Sequence, residues 1–136
     1  MYAKPMGLRI ELLSEYADTI NADEDKIQMV IQNLLDNAIR YSKIGGLITI
    51  RIEHDKKFVT WKIADTGLGI SAEDQKHIFS KFYRGANARA YQAEGNGIGL
   101  YIAKTIIENH GGRIGFFSKE GAGTTFWFNL PINNAA

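Results

Sequence analysis

Asn33-Leu34-Leu35-Asp36-Asn37-Ala38-Ile39-Arg40-Tyr41-Ser42 closes the longest periodic segment of the chain. Ile27, Val30, Ile31, Leu34, Leu35 and Ala38 recur at the three- and four-residue spacing of a helix that buries one face. Asp23 is a suitable N-cap, and the spacing predicts a helix from there to about Tyr41, stopped by Gly45-Gly46. Asn33, Asn37 and Arg40 lie within roughly 60° of one another on that helix, beside its apolar stripe and not opposite it. Two amides and a guanidinium at the rim of a core make a pocket wall. Amide oxygens can bind Mg²⁺, which also leans on phosphate oxygens, and Arg40 can grip a phosphate with two bonds. The plainer alternative is a solvated flank with an Asp36–Arg40 ion pair one turn apart.

A helix with one apolar face needs a partner layer, and the flanking sequence supplies strands. Leu8, Ile10 and Leu12 alternate with Arg9 and Glu11, Ile48, Ile50 and Ile52 alternate with Thr49, Arg51 and Glu53, and Phe58 to Asp65 is a third strand after the polar turn Asp55-Lys56-Lys57. Ser71 opens a short helix expected to run to about Ser80. Tyr83 to Gly97 reads as a loop, and a helix follows from about Ile98 to Asn109, closed by Gly111-Gly112. Arg113–Lys119 and Thr124–Leu130 are strands joined by Glu120-Gly121-Ala122-Gly123, and Pro131 ends the second. The order predicts an α/β two-layer sandwich of the α+β kind: a mixed, mostly antiparallel sheet covered on one face by about three helices. Residues 1–132 form one domain and 133–136 a tail.

Bulk composition narrows the function classes. The 136 residues are 45% hydrophobic and carry 16 basic against 15 acidic side chains, a net charge of +1. This near-balance argues against a dedicated nucleic-acid or anionic-membrane binder. With no cysteine there are no disulfides, thiolate metal sites or cysteine nucleophiles. The longest apolar run, Leu100 to Ala103, is far too short to span a bilayer. His54, His77 and His110 lack metal-ligand spacing, and Phe79 and Phe82 are read as packing anchors.

Three glycine-bearing segments are further candidates. In Asp65-Thr66-Gly67-Leu68-Gly69-Ile70, Asp65 shares strand parity with Val59, Trp61 and Ile63 and should face the core. A buried carboxylate needs hydrogen-bond donors, which an adenine amino group or a local Asx turn could equally supply. Gly95-Asn96-Gly97-Ile98-Gly99-Leu100 opens a helix where backbone N–H groups could cradle phosphates. It follows no strand and lacks Lys-Ser or Lys-Thr, so neither the dinucleotide fingerprint nor the P-loop fits. Gly121-Ala122-Gly123-Thr124-Thr125, taken alone, is a hairpin turn.

In this order, the segments resemble the ATP-binding catalytic domain of two-component sensor histidine kinases. Asn33 to Ser42 resembles the N box of that family, Asp65 to Ile70 its first glycine box, and Phe79-Ser80-Lys81-Phe82-Tyr83-Arg84 its F box. Gly95 to Leu100 resembles the second glycine box, and Gly121 to Thr124 with Phe126 the third; the likeness runs from about Leu8 to Pro131. The resemblance implies the Bergerat fold with ATP and Mg²⁺. Asn37 would hold the metal, with Asn33 beside it on the phosphate side. Arg40 would meet the phosphates, so that Asn33 and Arg40 carry the catalytic roles. Tyr41 would lie against the adenine, Asp65 would take its amino group, and Gly67, Gly69 and Ile70 would shape that wall. Tyr83, Arg84, Gly95, Asn96, Gly97, Ile98, Gly99 and Leu100 would close over the nucleotide, with Tyr83 to Asn96 as a lid, and Thr124 would lie near the base. Asn96 departs from the commoner Thr or Ser.

The resemblance also implies what lies elsewhere. No histidine here has the setting of the family's phosphoacceptor, so the receiving histidine and its dimerisation domain are expected before residue 1. A response regulator is the expected downstream partner, the isolated domain is expected to be a monomer, and the location that of the cytoplasmic part of a sensor. Hydrolases of the same fold carry a Glu four residues before the metal-binding Asn. Here that position is Asn33, whose amide cannot act as a base near neutral pH. A kinase does without one because the incoming imidazole is the nucleophile. A gyrase-like hydrolase and a non-enzymatic nucleotide-binding module are the alternatives.

Overall fold

The computed structural model describes residues 9–14, 20, 22–42, 45–79 and 99–132, with backbone alone at 9–13. The first helix, α1, spans Glu24–Tyr41. The Asp23 carboxylate accepts from the Lys26 N–H at 3.2 Å, and Glu24 and Asp25 complement the positive end of the helix dipole. The helix ends at Ser42, earlier than the glycine pair. The Ser42 backbone is extended, and its hydroxyl donates to the Ala38 carbonyl at 2.6 Å. Gly45, at φ 78°, instead turns the chain towards the next strand.

Five strands form one sheet: β1 (Arg9–Ser14), β2 (Leu47–His54), β3 (Phe58–Asp65), β4 (Ile114–Lys119) and β5 (Gly123–Pro131), in spatial order β1-β2-β3-β5-β4. The long helical crossover through α1 lets β1 lie parallel to β2, with Ile10 opposite Ile48. Every other pairing is antiparallel, as the mixed, mostly antiparallel reading required. Asp55 makes the β2–β3 turn by accepting from the N–H groups of Lys57 and Phe58 at 2.7 and 2.8 Å.

The helix expected from Ser71 to about Ser80 is shorter. Its α-helical part, α2, covers Ala72–Gln75. The next N–H groups, of Lys76 and His77, bond three residues back, to Glu73 and Asp74. This tighter winding accompanies the burial of Ile78 and the packing of Phe79 against the core, where its ring lies 5.9 Å from Phe116 and 6.5 Å from Phe126. The last helix, α3, spans Gly99–Asn109. Gly111, at φ 82°, ends it as the sequence indicates, with the Gly112 N–H reaching the Ile107 carbonyl at 3.0 Å.

Helices α1 and α3 pack on each other, α1 also on β3 and β5 and α3 on β4 and β5. Val30, Leu34 and Ala38 of α1 meet Ala103, Ile106 and Ile107 of α3 over Ile63, Phe126 and Phe128 in one buried cluster. Trp61 stacks on Phe128 with centroids 5.5 Å apart. His110 is structural: Nε2 accepts from the Asp23 N–H at 3.0 Å and Nδ1 donates to the Ile106 carbonyl at 2.9 Å, joining the end of α3 to the start of α1. The first-strand residue Leu8, the loop Tyr83–Gly97, Phe82 and the tail 133–136 lie outside the described residues.

Candidate functional site

The second half of α1, the loop Thr66–Ile70, the start of α3 and the β4–β5 hairpin converge at one end of the sheet. Gly67 makes the first junction. The Leu68 N–H donates to the Tyr41 carbonyl at 3.0 Å, and a Cβ on Gly67 would stand 2.0 Å from that same oxygen. Glycine is what allows the loop to touch the end of α1. Gly69 makes the second junction. Its φ is 73°, a Cβ there would stand 2.1 Å from the Lys119 carbonyl oxygen, and the Gly121 N–H closes on the Leu68 carbonyl at 2.6 Å.

Asp65 ends β3 with its side chain on the core side, 7% exposed, as its strand parity requires. One carboxylate oxygen accepts from the Gly67 N–H at 2.8 Å, so the local Asx turn is present. Burial dominates its chemistry and pushes the carboxyl up to about 6, against the opposing pull of the Gly67 and Thr124 backbone N–H groups. Thr124 is opposite Asp65 in the β3–β5 register and is also buried. The segment that alone read as a plain hairpin turn therefore brings a hydroxyl-bearing residue beside the carboxylate. Ile70, 2% exposed, backs the same wall from the core.

On α1, Asn33 and Asn37 are half-buried on one flank with Arg40. The Asn33 side-chain amide donates to the Gly99 carbonyl at 3.1 Å, which fixes α1 to the first residue of α3. The Asp36–Arg40 ion pair of the solvated-flank alternative does not form among the described residues; Asp36 accepts from the Gln32 side chain at 2.9 Å instead. Among the described residues Asn37 is thus left without a side-chain hydrogen bond and Arg40 without an ion pair. Tyr41 is buried, and its phenol is raised first by burial and then by Asp74, with Arg40 acting the other way. Gly99 and Leu100 open α3 beside this flank. Tyr83, Arg84, Gly95, Asn96, Gly97 and Ile98 lie outside the described residues.

Two residues escaped the sequence reading. Ser118 Oγ accepts from the Ile70 N–H at 2.7 Å and lies 2.8 Å from Thr124 Oγ1. Gln75 Nε2 donates to the carbonyls of Ile70 and Ser118 at 2.8 and 3.2 Å. The available signal was parity: Ser118 shares the inward face of β4 with Ile114 and Phe116, a hydroxyl at a core-facing position.

The family model describing histidine kinase-, DNA gyrase B- and HSP90-like ATPases matches residues 22–134. The chain belongs to this family. Within this ATPase family it is of the sensor histidine kinase catalytic-domain kind. It is 40% identical over 114 residues to sensor histidine kinase WalK of Bacillus subtilis, covering 82% of this chain and 19% of that protein. It is 43% identical over 109 residues to sensor protein SrrB of Staphylococcus aureus, covering 80% and 19% respectively. The chain thus spans about a fifth of the length of these curated relatives, 19% in each case. The solved structure of the mycobacterial sensor histidine kinase MprB superposes with a TM-score of 0.83 at 26% identity, over 96% of this chain and 88% of that one.

Membership in the ATPase family implies ATP binding, and the site's polarity fits it: a carboxylate at one wall, and two amides and a guanidinium at another. No helix among the described residues is long and apolar enough to cross a membrane.

Proposed function

We propose that this chain binds ATP with Mg²⁺ and presents the γ-phosphate to a histidine on a separate dimerisation domain of the same protein, which then supplies a response regulator. The observation that carries the reading is the buried Asp65 carboxylate paired in register with Thr124, at the end of the sheet where the α1 amides and Arg40 gather. The carboxylate would accept from the adenine amino group. Asn37 would hold Mg²⁺ through its amide oxygen. Among the described residues no cluster of three or more His, Cys, Asp or Glu could hold a metal, so this ion would be shared with phosphate oxygens.

Arg40 and donors from the loop before α3, namely Tyr83, Arg84, Gly95, Asn96, Gly97 and Ile98, would neutralise the phosphates; Tyr41, Gly67, Gly69, Ile70, Gly99 and Leu100 would shape the cavity. In the transfer, an imidazole nitrogen of the acceptor forms the new N–P bond while the bond to the leaving ADP oxygen breaks. The chain's own part is positioning and charge stabilisation. Asn33 supports a kinase over a gyrase-like hydrolase: its amide cannot take a proton from water and is occupied by the Gly99 carbonyl. The working state would be a monomeric catalytic unit in the cytoplasmic part of a sensor, residues 1–132, followed by the tail 133–136.

The test has two stages. Calorimetric titration with ATP should give saturable one-to-one binding that weakens in EDTA. The dimerisation domain of the same protein, supplied in trans with γ-labelled ATP, should then acquire an acid-labile phosphate. Rapid steady-state phosphate release by this chain alone, without labelling of the acceptor, would replace the kinase reading by the hydrolase one.

A further inference from the structure

Strand β4 ends the sheet, and its outer side pairs with no other strand among the described residues. The Asn129 N–H donates to the Arg113 carbonyl at 2.9 Å, which fixes the phase of the β4–β5 ladder. In an antiparallel ladder, alternate residues turn their main-chain groups to the same neighbour. Those of Arg113, Gly115 and Phe117 therefore face β5, and those of Ile114, Phe116 and Ser118 face the open edge. Gln75 Nε2 takes the Ser118 carbonyl at 3.2 Å and closes that end. The N–H and C=O groups of Ile114 and Phe116 remain unpaired among the described residues, a short template for an added strand.

The side chains beside this edge follow a definite order. On the face turned away from the helices, the chain presents Arg113, Gly115, Phe117 and Lys119. Phe117 is 71% exposed. Gly115 has no side chain of its own, but the Trp127 indole lies across it: a Cβ on Gly115 would stand 2.6 Å from Trp127 Cζ2. The edge thus reads cation, aromatic, aromatic, cation. Neither Arg113 nor Lys119 has an ion pair among the described residues, whereas Glu53 on the same face is held by Lys62 at 2.9 Å. Glu120 lies beyond Lys119 in the turn to β5.

This order selects an occupant. Antiparallel pairing with a second copy, centred on Phe116, would set Arg113 against Lys119 at both ends, and like charges opposite one another repel. A strand with two acids six residues apart, and apolar side chains at the alternate positions between them, would meet every group in either direction. The chain outside the described residues does not carry that pattern: 1–8 and 133–136 have no acid, 80–98 have Glu94 alone, and Glu15 and Asp18 are only three apart. A single nucleic-acid strand would meet the cations and rings but leave the main-chain groups of Ile114 and Phe116 unpaired.

We propose that the β4 edge docks an extended acidic segment of a partner protein, of the pattern acid–x–apolar–x–apolar–x–acid, which adds to the sheet as a further strand. The main chain of Ile114 and Phe116 holds the segment. Arg113, the Trp127 indole, Phe117 and Lys119 select it. The inference stands apart from the nucleotide reading and uses none of its residues.

Two synthetic peptides are the probes: acetyl-Ser-Glu-Thr-Val-Thr-Val-Thr-Glu-Ser-amide and its charge reverse, with Lys in place of both Glu. Each is titrated by NMR into the isotope-labelled chain and into Arg113→Glu/Lys119→Glu, with thermal unfolding of both proteins. The wild type should bind the acidic peptide saturably and at least about tenfold more tightly than the basic one, and the Ile114 and Phe116 amides should become protected from hydrogen exchange. The double variant should reverse the preference, because each attractive pair becomes repulsive and each repulsive pair attractive. The comparison of the two peptides on the wild type decides the question even if the double variant fails to fold. Equal binding of both peptides, no binding of either, a preference that the double variant keeps, or binding without protection of those amides would overturn the proposal. So would dimerisation of the chain alone with the same amides protected, or tighter binding of oligothymidylate than of the acidic peptide.

Discussion

The side-chain amide of Asn33 donates to the backbone carbonyl of Gly99 at 3.1 Å, joining two helices whose contact residues are 66 positions apart in the chain. A Cβ on Gly99 would meet the Asn33 Cγ and Oδ1 at 3.3 Å, so the amide fits against the bare helix start with little room to spare. Asn37, one turn further along α1, has no such partner among the described residues. Two asparagines on one flank therefore differ in kind. The first is committed to the fold, and the second keeps its amide unpaired among the described residues.

That difference is measurable as stability. Asn33→Ala should lower the free energy of unfolding by about 1 kcal/mol, the usual net worth of a hydrogen bond, whereas Asn37→Ala should stay within about 0.5 kcal/mol of wild type. Urea denaturation of the two variants checks it. Equal losses would mean that the Asn33–Gly99 bond carries no weight.

The same pair should invert when ATP is titrated. Asn37→Ala is expected to abolish most of the difference between ATP affinities in Mg²⁺ and in EDTA, because the amide oxygen is the side-chain metal ligand assigned there. A variant that still responds fully to Mg²⁺ would require another ligand set.

Gly67→Ala is expected to cost about 3 kcal/mol or more, since the added Cβ would stand 2.0 Å from the Tyr41 carbonyl oxygen and one backbone would have to move. Gly121→Ala is the control. Gly121 has a φ of 84° but nothing within 4 Å of its Cβ position, so only conformational strain of about 1–2 kcal/mol applies. Thermal unfolding of both variants should separate crowding from strain.

Asp65 makes the fold and the site depend on pH in opposite senses. The folded carboxyl is held at about 6 by burial against an ordinary value of 3.8. Between those values the folded chain retains a proton that the unfolded chain has released. This group therefore stabilises the fold at the acid end of the window and withdraws that contribution as pH rises towards 6. Relative to Asp65→Asn, the wild type should lose stability from about pH 4 to 6. ATP affinity should run the other way, falling as the wild type is acidified through about pH 6, while Asp65→Asn binds more weakly and with a flatter profile. Parallel unfolding and binding series at several pH values test both arms.

Much of the site was legible because its signals are local. The periodicity from Ile27 to Ala38 places Asn33, Asn37 and Arg40 on one flank of α1, and the alternation along β3 points Asp65 inward. Ser118 was not legible. Its importance comes from an N–H 48 residues away and a hydroxyl across a hairpin, and a serine in a strand carries no mark of either partner. Thr124 shows the same limit from the other side. By itself it is a turn-flanking threonine, and only the register with Asp65 makes it part of a pair. The length of α2 is not legible for a related reason. The polar run after Ser71 continues a helical pattern, but packing of Ile78 and Phe79 into the core accompanies a tighter winding.

What the sequence by itself determined are the elements and their inward faces: caps, breakers and hydrophobic periods act within a few residues of one another. The identity of the family was determined there too, through the order of its motifs. Tertiary structure alone decided which oxygens and amides meet. The parallel placement of β1, the meeting of Gly67 with Tyr41 and the hold of Ser118 on Ile70 and Thr124 are contacts between segments far apart in the chain. The energy of such a contact depends on a register that exists only once the sheet has assembled and its core is buried.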